Sequence, residues 1–252
     1  MDKTALVSTE RLVEEPYVSI LCYPRPTKAE AEKRLKRLEK LGVMAVSFEG
    51  EKRVSDVRVL GKGYVGIVVA AYVNDEKVAL KIRRVDADRV SMEREAELLK
   101  KANSVGVGPR LMGASKDFIL MQFVDGTLLP EWLKKRRSRP IMKIALRDVL
   151  TQCLHLDSVG LDHGELSNAP KHVIVDKDNK LVIVDFEAAS LNRRPSNVTA
   201  LCQFLFIGSG VAKIVARKLG RLDKNAIVEA LKVYKNDRSP ENFGHVLTTC
   251  GL

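Results

Sequence analysis

The sequence predicts an α+β fold, with its strands gathered towards the first half of the chain and its helices towards the second. Three observations carry this. Residues 57–83 are β-rich runs broken by short turns, VRVLGKGYVGIVVAAYV and, after Asn74-Asp75-Glu76, KVALKIRRV. Residues 131–139, 141–160, 197–207, 211–219 and 224–234 read as helices. The stretch HGELSNAPKHVIVDKDNKLVIVDFEAA adds a hairpin, because two short apolar runs, 173–175 and 181–184, flank the polar turn Asp176-Lys177-Asp178-Asn179-Lys180.

Composition sets the class. At 252 residues and 45% hydrophobic content the chain can bury a sizeable core. No apolar run reaches the ~18 residues of a membrane span, and the first fifteen residues lack the charged and apolar blocks of a secretory signal. The four cysteines, Cys22, Cys153, Cys202 and Cys250, are far apart and form no metal-binding pair, so they read as reduced, buried thiols of a cytoplasmic protein with no membrane partner. The net charge of +11 favours polyanionic partners, acidic or ribonucleoprotein. With aromatics at only 5%, no base-stacking surface stands out.

In chain order, YVSILCY at 17–23 reads as a strand. Thr27 can cap the helix that follows, TKAEAEKRLKRLEKL, with Glu30 as its capping-box partner; Ala31, Leu35 and Leu38 mark its apolar face and Gly42 stops it. VMAVSF supplies a second strand, which makes the beginning of the chain βαβ-like. Gly61, Gly63 and Gly66 then form G-x-G-x-x-G, with Val68 two residues on. A dinucleotide fold needs a helix after such glycines. A β-run follows instead, so the glycines form a hairpin turn able to fold over phosphates.

On the next strand Ala79 and Lys81 share one face, and Val78 and Leu80 the other. In the helix at 89–102, Met92, Glu95, Leu99 and Ala102 fall on one side. Glu95 is thus a carboxylate on an apolar face; such an acid needs a partner, and Lys81 is the candidate. FILMQFVDG is a buried-looking strand ending at Asp125-Gly126. Lys134, Lys135, Arg136, Arg137 and Arg139 form the densest basic cluster, a solvated helix end or a docking patch for an acidic or phosphorylated partner. In the hairpin region, Glu165 after His163 and Asp185 after VIV are two carboxylates that suit a hard cation and an activated hydroxyl.

These motifs, in this order, resemble the protein-kinase-like superfamily: a glycine loop, V-A-x-K, a helical glutamate, a hinge strand, a loop opening on histidine, and D-F. The similarity is to small atypical members, the RIO-type and related archaeal kinases, and covers about residues 55–207. It implies a two-lobed fold: a βαβ-like extension (1–52), a β-rich N-lobe (53–124) and a helical C-lobe (125–252). It implies ATP with Mg2+ or Mn2+ as cofactors, and an unidentified protein or small molecule as acceptor. Gly61, Gly63, Gly66 and Val68 would cover ATP. Lys81 would contact its phosphates and be held by Glu95. Residues 121–124 would be the hinge, with backbone groups of Gln122 and Val124 reading adenine. Asp185 would bind the metal, and Glu165 would take the place of the catalytic aspartate.

The chain departs from the family pattern in its catalytic loop. Gly164 stands where the family has arginine, and Pro170 where it has a metal-binding asparagine. His172 is the expected substitute ligand and Asn168 a weaker one. Glu187 replaces the glycine of D-F-G, and no A-P-E segment is recognisable. The expected activity is that of an atypical serine/threonine kinase. The alternatives are a small-molecule kinase or ATPase of the same fold, and an ATP-binding pseudokinase scaffold.

Overall fold

The structure is a computed structural model that describes residues 6–135 and 138–252. Arg136 and Arg137 of the basic cluster lie outside the described residues. The protein is α+β, as the sequence predicts. It divides into two units: one runs through Lys100 and includes Pro109–Phe123, and the other comprises Lys101–Gly108 and Val124–Leu252. Among the described residues, no single helix is long and apolar enough to cross a membrane. All four cysteines are buried and free.

The first unit begins with β1 (Leu6–Ser8), a 3-10 turn, α1 (Val18–Leu21), α2 (Lys28–Lys40) and β2 (Ala45–Ser47). There follow β3 (Lys52–Val54), β4 (Val57–Val59), β5 (Gly61–Lys62), β6 (Gly66–Val73), β7 (Glu76–Arg83), α3 (Glu93–Asn103), β8 (Leu111–Ala114) and β9 (Phe118–Gln122). The main sheet has the order β1-β2-β6-β7-β9-β8, with β5 also on β6, and every pairing is antiparallel. Strand alternation sorts its two faces. Ile67, Val69, Val78, Leu80, Ile82 and Phe118 enter one core with Ile20, Leu21 and Leu38. Val68, Lys81 and Ile119 lie across from one another on the opposite face.

Two expectations for the beginning of the chain are corrected. Residues 17–23 are not a strand: Leu21 N–H donates to Tyr17 O at 3.0 Å and Cys22 N–H to Val18 O at 2.9 Å, a helical turn. That turn buries Ile20, Leu21 and Cys22 together in the core, and this packing outweighs the β-propensity of Val18 and Ile20. The strand that pairs with β2 is β1, and it runs antiparallel. The beginning of the chain is therefore an antiparallel pair enclosing helices, not a βαβ unit. In α2 the buried residues are Ala31, Arg34 and Leu38; Leu35 is only half-buried. Thr27 does cap this helix, accepting from Glu30 N–H at 3.3 Å, but the Glu30 carboxylate turns to Arg34 at 2.8 Å instead of closing a capping box.

The second unit contains β10 (Gly126–Leu128), α4 (Leu129–Lys134), α5 (Arg139–Ser158), a 3-10 turn (Leu166–Asn168), β11 (Val173–Asp176) and β12 (Leu181–Ile183). It continues with α6 (Asn197–Cys202), which runs into a π-helical turn, then α7 (Gly210–Leu219), α8 (Lys224–Asn236) and α9 (Pro240–Thr249). The expected hairpin is present as β11–β12, and β10 extends it to three antiparallel strands. Its turn is built as the sequence suggests: the Asp176 carboxylate accepts from Asp178 and Lys180 N–H, both at 2.9 Å, and Asn179 takes a left-handed φ of 63°. Trp132 Nε1–H donates to Asn179 Oδ1 at 3.0 Å and pins this turn to α4. α9 has a signal that the sequence reading leaves unused: Ser239 before Pro240, with Ser239 Oγ accepting from Asn242 N–H at 3.3 Å.

A buried charge network holds α2 to the sheet of the first unit. Asp117, fully buried in the β8–β9 turn, accepts from Arg83 Nη2 at 2.8 Å, Arg83 Nε at 3.1 Å, Arg34 Nη2 at 3.3 Å, and Arg37 Nη1. Arg34 is itself fully buried, and its Nη1 also donates to Leu21 O at 2.7 Å and Arg83 O at 2.6 Å. One carboxylate thus joins α2, β7 and the β8–β9 turn. Removing one member of a buried ion network leaves uncompensated charge and costs roughly 3–5 kcal/mol. Asp117→Asn, which preserves the shape, is expected to lower unfolding stability in urea by about that amount, whereas Arg37→Lys, whose side chain is one-third exposed, is expected to cost no more than about 1 kcal/mol. Equal losses from the two variants would show that the network is not centred on Asp117.

Candidate functional site

The residues singled out in the sequence fall into two groups, one in each unit. In the first unit, Gly61 and Gly66 lie on β5 and β6, which form the expected hairpin around the glycine turn. Gly63 N–H donates to Gly66 O at 2.8 Å and closes the turn. Gly61 pairs with Val68, and Val68 with Lys81, so all three line one face. Gly66 is required by packing: a Cβ there would sit 3.1 Å from Cγ and Cε of Lys81 and 3.0 Å from Ile82 O. The glycine leaves the channel through which the lysine side chain runs.

Lys81 Nζ donates to Glu95 Oε1 at 2.7 Å, and both side chains are less than one-tenth exposed. The apolar face of α3 carries Glu95 as predicted, with Leu99 and Ala102 buried beside it and Met92 buried just before the helix, while Glu93, Glu97 and Lys100 are exposed. Gln122 ends β9 and its N–H is taken by Arg110 O at 2.9 Å, leaving no backbone donor there for a ligand. The chain passes from the first unit to the second between Phe123 and Val124.

In the second unit, one ligand atom each from Glu165, His172 and Asp185 lie within 4.8 Å of one another. His172 Nε2 stands 3.6 Å from Glu165 Oε2. Two carboxylates and an imidazole fit a divalent cation. The oxygens suit Mg2+, and the ring nitrogen shifts the preference towards Mn2+, which accepts imidazole more readily. Asn168, the weaker ligand candidate, is exposed in the 3-10 turn and is not part of this group.

The residues that flank Asp185 are held by histidines. Val184 N–H donates to His172 O at 2.9 Å, and His163 Nε2 lies 3.1 Å from Val184 O. The His163 ring also packs against Phe186, centroid to centroid 5.1 Å. Asp185 itself has a φ of +69°, an uncommon conformation that aspartate tolerates better than most residues. Bonds to the residue before it and packing on the residue after it hold it there.

Gly164 has a physical reason in this chain. Its φ is +90°, and a Cβ would lie 2.8 Å from Ala188 O and 2.5 Å from Arg193 Nη2. Arg193 occupies the adjacent space, donating to Ala188 O at 2.6 Å and to Asp162 Oδ2 at 2.9 Å. An arginine at position 164 would collide with both neighbours.

The sequence reading misses the supports of this loop. Asn197 Oδ1 accepts from His163 N–H at 2.8 Å, while its Nδ2 donates to Asp157 Oδ1 at 2.8 Å and to Leu161 O at 2.7 Å. Asp157 in turn accepts from Tyr234 O–H at 3.0 Å. These partners are 34 to 77 residues apart in the chain, so no local pattern could expose them. A buried aspartate on the apolar side of α5 was the one available signal. Burial pushes the Asp157 carboxyl above its usual range, against the lowering effect of its donors.

No family model matches the sequence. The uncharacterized protein MJ1211 of Methanocaldococcus jannaschii is 30% identical to this chain over 117 residues, which span 46% of this chain and 98% of that protein. The fold and the two residue groups define an α+β protein with a buried lysine–glutamate pair in one unit and an acid–histidine cluster in the other. By its extent and identity the match places this chain in the same family as MJ1211. The name of that relative carries no activity, so the chemistry rests on the residues described above.

His163 supplies a pH test of the loop. Burial depresses its pKa from 6.5 to about 4, so the folded protein holds it neutral, with Nε2–H donating to Val184 O. Between those two values the unfolded chain binds more protons than the folded one, so stability falls as pH drops from 6.5 towards 4. The full loss is roughly 3 kcal/mol. His163→Phe keeps an aromatic ring against Phe186 and removes the titration. Its urea midpoint is expected to fall less than that of wild type between pH 7 and 4.5; equal slopes would assign the acid sensitivity to other groups.

Proposed function

We propose that this protein is an ATP-dependent phosphotransferase of the two-lobed, protein-kinase-like type, with a serine or threonine hydroxyl as the most favoured acceptor. The observation that carries this reading is the buried 2.7 Å pair of Lys81 and Glu95, on the face of the sheet that the glycine turn shares. A buried ion pair is poor value for stability alone, because well-packed apolar residues do as well or better. Its presence beside a glycine turn, in a channel that Gly66 leaves open, fits a lysine held for phosphate oxygens.

The acid–histidine cluster supports the second half of the chemistry. Asp185 and His172 would hold a divalent ion, Mg2+ or Mn2+, whose part is to neutralise phosphate charge. Glu165 would orient the acceptor hydroxyl and take its proton. The hydroxyl oxygen then bonds to the γ-phosphorus, the bond from that phosphorus to the β–γ bridging oxygen breaks, and ADP departs with the electron pair. The catalytic contribution is positioning and charge stabilisation. Glu165 is one methylene longer than aspartate and stands immediately before the turn Leu166–Asn168.

The test follows labelled ATP with Mg2+ or Mn2+ into protein, hydroxylated small molecules and free phosphate. Label in a protein hydroxyl supports the reading; label only in a metabolite or in free phosphate moves it to a small-molecule kinase or an ATPase. Lys81→Met is expected to weaken nucleotide binding by roughly ten- to a hundredfold, as loss of a charge-assisted phosphate contact does. The paired Lys81→Met/Glu95→Gln variant guards against misfolding caused by a lone buried carboxylate. Glu165→Gln should spare binding and lower turnover by roughly 10²–10⁴. Wild-type binding and turnover in both Lys81 variants would sink the assignment.

A further inference from the structure

The glycine turn is braced from behind by Tyr23, a residue to which the sequence reading gives no part in the site. Lys62, within the turn sequence Gly61-Lys62-Gly63, pairs across the hairpin with Ile67, and Ile67 pairs with Ile82. Cross-strand partners share a face. Lys62 therefore points to the Ile67–Ile82 side, opposite the face that carries Lys81. On that side it meets Tyr23: Lys62 Nζ donates to Tyr23 O–H at 2.7 Å and lies 4.4 Å from the ring centroid. The Arg84 guanidinium sits 5.2 Å from the same ring.

The brace is itself fixed. Tyr23 O accepts from Val85 N–H at 2.8 Å. Arg84 reaches the turn twice, through N–H to Val65 O at 2.8 Å and through Nη1 to Gly63 O at 3.3 Å. Asp86 holds the Arg84 fork with two bonds, at 2.9 and 2.7 Å. Tyr23 packs against the core that also contains Ile20, Leu21 and Cys22. By contrast, the strand that carries the turn is weakly held. β5 is two residues long and, among the described residues, pairs only with β6, and a short edge strand with one neighbour has little to fix its tip.

We infer that Tyr23 is a positioning residue for the glycine turn: through Lys62 it sets the height of the turn over the Lys81 face, and so sets nucleotide affinity. This rests on the function proposed above. Lys62 serves here as a strut rather than a phosphate ligand, since its side chain leaves the hairpin on the side away from Lys81. The segment at residues 17–23 thereby acts on a site to which it contributes no ligand-binding group.

The experiment measures the Kd of ATP with Mg2+ for wild type, Tyr23→Ala, Tyr23→Phe, Lys62→Met and the Tyr23→Ala/Lys62→Met double variant. Tyr23→Ala and Lys62→Met are each expected to raise Kd about tenfold, the size of one charge-assisted hydrogen bond. Tyr23→Phe keeps the ring beneath the two cations and loses only the hydroxyl, so it should fall between wild type and Tyr23→Ala. The double variant should be no worse than the weaker single one, because both remove the same strut. Lys62 is exposed, so its variant stays informative if Tyr23→Ala fails to fold. Multiplicative losses in the double variant, or wild-type affinity in Lys62→Met, would overturn the inference and leave the proposed function standing. A wild type that binds no nucleotide would overturn both.

Discussion

The buried carboxylate of Asp117 is the constraint on which the first unit depends. A charge placed inside protein is tolerated only when other groups replace the water it has lost. Asp117 meets that demand with guanidinium groups from Arg34, Arg37 and Arg83. Those arginines come from α2 and β7, so satisfying the charge fixes the helix against the sheet. Arg34 also donates through Nη1 to Leu21 O and Arg83 O, which ties the end of α1 into the same arrangement. The beginning of the chain is thus part of the sheet's own architecture, in register with β6 through β2 and bonded to β7 through arginine.

That architecture has a consequence for chemistry. β7 carries Arg83 into the Asp117 network and, two residues earlier, Lys81 into its pair with Glu95. The strand that presents the candidate phosphate-binding lysine is anchored at its end by the buried Asp117 network. The glycine hairpin next to it is anchored less strongly, by Tyr23, Lys62 and Arg84. For the nucleotide site proposed above, this division would let the turn adjust while the lysine stays in place.

The second unit fixes its candidate loop with a hydrogen-bond chain that contains no arginine. Its candidate loop is hung on a chain of hydrogen bonds from Tyr234 through Asp157 and Asn197 to His163, and from His163 to the backbone before Asp185. A neutral His163 suits this role, since a protonated ring in such a buried position would carry a desolvation cost. Asp185 keeps its unusual φ because the residues on either side are held, by hydrogen bonds and by the packing of Phe186. Glu165 immediately precedes the 3-10 turn and His172 immediately precedes β11, and a ligand atom of each lies within 4.8 Å of one from Asp185.

Local chemistry made much of this legible in the sequence. Apolar, β-rich runs located β6, β9, β11 and β12, alternation sorted the two faces of β7, and a 3.6-residue stripe located α3. A carboxylate on that stripe demanded a partner, which identified Lys81. The turn around Asp176 and Asn179, the Thr27 cap and the glycine hairpin are likewise decided within a few residues, by backbone geometry that neighbours alone can impose. What tertiary structure alone decided lies at long sequence separation. Residues 17–23 have β-branched character yet form a helical turn, because burying Ile20, Leu21 and Cys22 together is worth more than a weak strand preference. Arg34 looks like one more surface arginine of a charged helix until Asp117, 83 residues away, gives its charge a buried partner. Asn197 looks like the solvated first residue of a helix until Asp157 and His163 close around it. A charge or amide is read as solvated wherever its partners are remote, and only folding brings those partners within hydrogen-bonding distance.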